Sequence, residues 1–454
     1  MANTNLSSYL AESQRGRSLL QQVFGENWLS KQTFFTVDTA TGIFNTTYGR
    51  KVWQALNNQT RFFNAIPRVT WGNVAGWRVR DDRGSGRSRP ITETGSLPTI
   101  DVSNINTVSS LPRIVGTTFG VSIKSVFTAN LEGGVGDVLA MEHENAERDH
   151  AKEINEELLA AAGSVVSAGA ATSFTVPAAF AKNYKIGDAV SQWDDSANDW
   201  IRTSGSVVSA VNTSTGVVTV ATGTAFADTD LATIYSRAGF TSLDDIVNED
   251  GARISGGSTN ANFAANGGVR AYDLTFGGRV AGTWNAGAIV SHNAGVGRSL
   301  TLNLIDNSIQ NIRQNGGDPK LILMGHDQYF HMERLLNAQQ RYLGVEEYQV
   351  GIGSEKTFPG TRTGLVLATY QGIPILTEPD APQSVSTGDV VLGRNVYVLD
   401  TDALEIAIAQ PTRYIENRDY FAANQLVVRG LLFTLGEHRC TNIWVQAAIK
   451  DLSA

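Results

Sequence analysis

With 454 residues, 42% of them hydrophobic and 18% charged, the chain can bury sizeable cores and is not a self-repelling disordered polymer. Its net charge of -8 excludes a nucleic-acid coat over the whole surface and leaves room only for a local basic patch. The single cysteine, Cys440, excludes an intrachain disulfide and a thiolate zinc cluster.

The opening MANTNLSSYLAESQRGR has no apolar run of the secretory type. Met1 to Gly49 is polar and dotted with aromatics (Phe24, Trp28, Phe34, Phe35, Phe44). It has too little periodic apolar sequence to fold alone and reads as an arm lying on something else. Tyr48 to Ala65 is predicted as an amphipathic helix carrying Val52, Trp53, Leu56, Phe62 and Phe63, stopped by Ile66-Pro67. From Arg68 to Ile123 the pattern turns strand-like, with RDDRGSGRSRP as its central turn. Two strands without a third have no core, so this long excursion must lean on a surface, such as that of a neighbouring subunit. Leu111 to Thr128 is expected to return as a strand.

Val135 to Ala162 is the longest predicted helix, rich in Ala, Leu and Glu, free of Pro, and about 40 Å long. Leu139, Ala146, Ile154 and Leu158 form its apolar stripe, and Gly163 is a natural stop. Its other faces hold Glu142, Glu144, Glu147, Arg148, Asp149, Lys152, Glu153, Glu156 and Glu157. Ser164 to Arg237 then loses charge and becomes Ala-, Ser-, Thr- and Val-rich. It is read as a small inserted β-domain, with Asn212 to Gly216 as a hairpin turn. Its most apolar part, Ser164 to Ala181, is broken by Gly169 and Pro177 and is no membrane span. Asp244 to Gly297 is Gly-rich and strand-like around Tyr272, Phe276 and Trp284. Ser299 to Asn315 has helical spacing, KLILMG reads as a buried strand, and His326 to Leu343 as a further helix. Strands and turns fill the remainder, so the fold class is α+β.

Several chemical motifs are suggested and fail on spacing. His143, Glu144 and His150 lack the His-Glu-x-x-His spacing of a zinc protease, and a solvated charged face is the better account. Gly351 to Thr357 has Glu355 where a phosphate loop needs glycine. His326 and His331 flank a helix start with Asp327 in its first turn. Asp194, Asp195, Asn198 and Asp199 lack the alternation of a calcium loop and read as a polar turn between Trp193 and Trp200. No nucleophile elbow occurs, and Cys440 is expected to be packed. No catalytic residue, cofactor or metal site is therefore assigned.

The arginines Arg78, Arg80, Arg83, Arg87 and Arg89 form the one basic patch. Asp81 and Asp82 interrupt it and no aromatic ladder accompanies it, so inter-subunit pairing with an acidic helix is preferred to nucleic-acid binding. The contact candidates are these arginines with Glu142, Glu147, Glu153 and Glu156.

In its order of parts the chain resembles the HK97-like major capsid proteins of tailed bacteriophages and related archaeal viruses. The resemblance rests on the arm, the long loop and the Val135 to Ala162 helix. It continues through TLNLIDNSIQNIRQNGGDPKLILMGHDQYFHMERLL, YQGIPILTEPDAP and VVLGRNVYVLDTDALEIAI, and ends with NRDYFAANQLVVRGLLFTLGEHRCTNIWVQAAIKDL. The resemblance implies an N-terminal arm and short helix (1–65), an extended E-loop (66–123) and a peripheral domain with a spine helix (124–163). The inserted β-domain (164–237) follows, then more peripheral domain (238–299), an axial domain (300–409) and a closing strand and tail (410–454). It further implies pentamers and hexamers of an icosahedral virion shell around double-stranded DNA, assembled in the host cytoplasm. A portal protein is an implied partner, with a separate scaffolding protein or none and non-covalent or decoration-protein stabilisation; DNA contact is expected to be non-specific, and no membrane is involved. Some members of that family cross-link through an E-loop lysine. Here no lysine lies between Val52 and Ile123, so no isopeptide chainmail is expected, nor a large N-terminal cleavage. An encapsulin-like compartment, or an enzyme with a β-rich accessory domain, are the alternative readings.

Overall fold

The computed structural model describes residues 60–71, 76–80, 90–98, 105–109, 112–129, 138–167, 169, 172–194, 199–221, 231–247, 289–293, 296–337, 346–349, 357–360, 369–385, 391–417 and 426–453. The predicted arm, most of the Tyr48 to Ala65 helix, the stretch around Tyr272 to Trp284 and the Gly351 loop lie outside these residues. The chain is α+β and divides into two compact units.

The first unit contains Val115–Glu153 and Gln410–Thr434. Strand Val427–Cys440 lies between Leu404–Asn417 and Arg113–Ser122 in its sheet. Phe119 and Tyr414, from the two flanking strands, stack at 6.0 Å with 10° between their rings. They close over Gly430 of the middle strand, where a Cβ would lie 2.4 Å from the Phe119 ring and 2.8 Å from Tyr414. Only glycine leaves the space for that stack. The strand expected over Leu111 to Thr128 stops at Ser122, and Ile123–Ala129 is helical. The Ser122 hydroxyl accepts the Ser125 N–H at 3.1 Å, satisfying one of the donors that a helix start leaves open.

The second unit contains Thr60–Ile114, Ile154–Ala409 and Leu435–Ala454. Its first layer is a β-barrel. Six strands run in the order Gly163–Val165, Leu231–Ser236, Ala189–Asp194, Asp199–Asn212, Val217–Val220 and Ser173–Thr175. A bridge from Ser167 to Thr175 joins the last strand back to the continuation of the first. Alternation of inward Phe174, Val176, Val218 and Val220 with outward Ser and Thr fills the interior, where Phe180, Tyr184 and Ile234 join them. The predicted turn forms: Asn212 Oδ1 accepts the N–H groups of Ser214 and Thr215, and Gly216 takes φ +77°.

The second layer is a mixed sheet in the order Ile289–Ser291, Ala447–Ile449, Val396–Leu399, Leu321–Met324, Ile373–Thr377 and Thr369–Tyr370. Its central strands are buried at every position, the pattern of strands covered on both faces. Helix Leu302–Gln314 supplies Ile305, Ile309 and Ile312 to this core, and helix His326–Asn337 supplies Met332. Full burial of each such side chain contributes about 1.5–3 kcal/mol.

Buried charges join the layers of the second unit. The long helix, Val138–Leu159, ends three residues before the predicted Ala162. Arg237 donates to the carbonyls of Ala160 and Ala161, and Asp244 accepts the Ala162 N–H at 2.9 Å, so tertiary partners take the groups that would continue the helix. Asp244 also accepts the Tyr397 hydroxyl and the Lys450 ammonium, both at 3.0 Å. Asp245 pairs with Arg237 at 2.7 Å and closes a capping box with Ser242. Burial would lower the pKa of Arg237, but Asp245, Asp188 and Glu157 together hold it above its ordinary value. Beside this network Glu437 pairs with Arg113 at 3.0 Å and accepts the Thr241 N–H, while His438 Nδ1 donates to the Thr241 carbonyl.

Two predictions follow from this packing. Gly430→Ala lowers the stability of the unassembled subunit by about 1–3 kcal/mol, and adding Phe119→Ala makes the pair less costly than the sum, as a urea double-mutant cycle shows. The second concerns pH. Burial raises Glu437 from 4.5 to about 7 against the pull of Arg113, and burial lowers His438 from 6.5 to about 4. The Glu437 contribution is therefore complete below pH 4.5 and is lost as pH rises through about 7. The His438 contribution is complete above pH 6.5 and is lost as pH falls through about 4. Their slopes oppose one another between pH 4.5 and 6.5. His438→Gln unmasks a stability that falls by about 3 kcal/mol with rising pH, and Glu437→Gln one that rises by about the same amount. Denaturant melts across this range that superimpose for both variants and the parent chain would refute the assignment.

Candidate assembly surfaces

The predicted hairpin exists as a two-stranded ladder, Gly76–Arg80 against Ile105–Ser109. Arg78 pairs with Thr107 and Arg80 with Ile105 in its register. Arg83, Arg87 and Arg89 lie outside the described residues. The segment 90–98, which follows the arginine-rich tip, turns through a Gly95 N–H to Thr92 carbonyl bond and exposes Ile91 (51%) and Leu97 (78%).

The acidic candidates sit on the long helix in different surroundings. Glu142 is half-buried, and its pKa is raised first by burial, with Asn145 opposing and Asp149 adding to the shift. Glu147 is exposed and lies 3.2 Å from His143 one turn earlier. Glu144 pairs with Arg148 in the same way. Glu153 is half-buried, and Glu156 lies 3.8 Å from Lys185. Exposed pairs of this kind contribute little, about 0–1 kcal/mol each, so they hold their charges only loosely.

The charged helix is not solvated all round, as the sequence suggests. His150 is 2% exposed, between the Thr117 hydroxyl at 3.1 Å and the Thr434 hydroxyl at 2.8 Å. Burial holds its pKa below the usual histidine value. Thr434 reaches on to Thr412 at 2.8 Å, so a chain of hydroxyl and imidazole groups crosses the helix and three strands of the first unit. Glu157 is also buried, with Gly239 pressed against its carboxylate. A histidine spaced one heptad from another gave no sequence signal for this role; only the two facing threonines define it.

Several of the remaining motif residues have structural partners, while Asp195 and Asn198 lie outside the described residues. His331 lies 3.2 Å from the Leu300 carbonyl, and Asp327 accepts the Arg394 N–H at 2.8 Å. Asp194 is paired with Asp199, and Trp193 with Trp200, in the backbone register of an antiparallel strand pair. Cys440 is buried and its thiol is pushed up to about 12, which keeps it protonated at neutral pH. Among the described residues no three His, Cys, Asp or Glu side chains converge as a metal would require. No helix among them is long and apolar enough to cross a membrane. The buried set of Arg237, Asp244, Asp245, Glu437 and Lys450 was not singled out from the sequence. Its one visible signal is Ser242-Leu-Asp-Asp245, the spacing of a capping box.

The family model of the SU10 major capsid protein matches residues 30–419. The chain is similar to a subunit of the cyanophage A-1(L) capsid at 13% identity. That match has a TM-score of 0.52 and covers 89% of this chain and 96% of that one. It also aligns with a chain from Gordonia phage Cozz, at 12% identity over 94% of this chain and 98% of that one, with a TM-score of 0.43. The SrpI encapsulin of Synechococcus elongatus aligns at 8% identity over 92% and 96%, with a TM-score of 0.36. No curated protein sequence matches significantly. The cyanophage likeness agrees with the α+β fold of the HK97-like capsid type that the sequence predicts. With the family model spanning most of its length, this chain belongs to the SU10 major capsid protein family, as a virion shell subunit of HK97-like fold.

Proposed function

We propose that this subunit forms pentamers and hexamers that close an icosahedral shell around packaged double-stranded DNA, assembled in the host cytoplasm. The hairpin supports this reading: among the described residues its two strands pair with one another as a two-stranded sheet, and 90–98 leaves Ile91 and Leu97 exposed. Such an element gains its stability from a neighbour. The E-loop (66–123) and the arm (1–65) overlap adjacent subunits, and the inserted domain (164–237), the axial domain (300–409) and the closing segment (410–454) keep the divisions read from the sequence. Arg78, Arg80, Arg83, Arg87 and Arg89 pair across subunits with Glu142, Glu147, Glu153 and Glu156, exchanging weak intrachain partners for intermolecular ones. A separate scaffolding protein, a portal and a decoration protein complete the shell, and DNA contact is non-specific.

The absence of lysine from Val52 to Ile123 supports a shell without loop-lysine cross-links. Electron microscopy and sedimentation of particles made in cells show closed shells or capsomer rings, and boiled, denatured particles run as a single monomer band. A ladder of covalent multimers would overturn the non-covalent reading. Nucleic acid inside the purified particles separates this reading from an encapsulin-like compartment, which would enclose protein instead.

A further inference from the structure

The arm and the extended loop meet in one described segment of the second unit, 60–71. Its short helix, Arg61–Ala65, has Thr60 at the N-cap, and the Thr60 side chain caps none of the open N–H groups. Two residues distant in sequence take them instead. Glu378 Oε2 accepts the Phe62 N–H at 3.3 Å, and Asn155 Oδ1 accepts the Phe63 N–H at 3.1 Å. The two are joined, since Asn155 Nδ2 donates to Glu378 Oε1 at 3.2 Å. Neither side chain has exposed surface. Arg61 donates to the Thr377 hydroxyl at 2.9 Å, and the buried Phe62 ring meets His438 edge to face at 6.4 Å. At the other end of the segment Arg68, Val69 and Thr70 pair in parallel with Ile406, Ala407 and Ile408. The Trp71 N–H continues this ladder, donating to the Ile408 carbonyl at 2.8 Å.

A helix of five residues does not stand alone, because nucleating it costs more than its few bonds return. Its direction is set by what holds it. Asn155 lies on the long helix Val138–Leu159, and Glu378 follows strand Ile373–Thr377, its own N–H donating to the Met324 carbonyl at 2.9 Å. Both are therefore fixed by the cored part of the second unit. The pair also has a definite chemistry. Glu378 accepts with both oxygens, while the Asn155 amide accepts with one end and donates with the other. Two carboxamides at these positions would leave two N–H groups facing each other. Two carboxylates would set acceptor against acceptor. We propose that the Glu378–Asn155 pair is a latch that fixes the direction in which the arm leaves the subunit. These two side chains thereby position the arm, and with it the start of the extended loop, to overlap neighbouring subunits. The inference rests on the shell reading above.

The test exchanges the two functional groups in the full chain. Glu378→Gln and Asn155→Asp each break the donor–acceptor match, whereas the two together restore it with the carboxylate and the carboxamide in exchanged places. Two quantities are read. Hydrogen exchange of the unassembled subunit reports the latch at Phe62 and Phe63, with strand Leu321–Met324 as the internal reference. The yield of closed particles from cells that also supply the assembly partners reports its role. Each single variant speeds exchange at Phe62 and Phe63 by about tenfold or more, leaves the reference strand within about twofold, and lowers particle yield by about tenfold. The double variant returns both readings to within about threefold of the parent chain. Normal particle yield from single variants whose Phe62 and Phe63 exchange is accelerated would overturn the positioning role and leave the shell reading standing. Equal acceleration in the reference strand would show that the pair serves the core alone, and failure of the double variant to recover would refute the donor–acceptor latch. If the parent chain forms no particles, the shell reading fails and takes this inference with it.

Discussion

Asp244 has no exposed surface, yet its carboxylate receives a backbone N–H from the end of the long helix, a phenol from one strand and an ammonium from near the C-terminus. Three regions distant in sequence therefore meet at one side chain. Arg237 performs the complementary task, closing the helix by binding the carbonyls of Ala160 and Ala161 while Asp245 balances its charge. Ions buried in this way are costly to desolvate, and the geometry must return that cost through several bonds to each group. Breaking one member strands the others, so the helix end, the root of the barrel and the second sheet hold or fail together within their unit.

Arg237 is also the residue at which the chain leaves the barrel. The first and last barrel strands, Gly163–Val165 and Leu231–Ser236, pair side by side in antiparallel register. Entry and exit therefore lie together at the charged network, and further contacts join the barrel to the chain, among them Lys182 with Asp380, Lys185 with Glu156, and Val391 against the barrel core.

Among its described residues the first unit is held in part by shape and neutral hydrogen bonds. Phe119 and Tyr414 stack across Gly430, and Thr117, His150, Thr434 and Thr412 form a continuous polar chain. The hairpin, Gly76–Arg80 against Ile105–Ser109, is described by its backbone ladder.

Local pattern in the sequence determined a good deal. The period of apolar residues marked the long helix, the two helices of the second sheet and the fully apolar strand Leu321–Met324. Turn chemistry marked Asn212 to Gly216, and the order of the parts pointed to the capsid fold. These properties are legible because they depend on neighbours within a few residues. The helix end at Leu159, the helical turn after Ser122 and the burial of His150 and Glu157 were decided by tertiary structure alone. In each long-range case the deciding partner lies far along the chain, as with Arg237 for the helix end and Thr434 for His150. A charged or polar residue reads as solvated until the fold supplies a buried partner, because its free energy is set by what surrounds it and not by its position in the pattern.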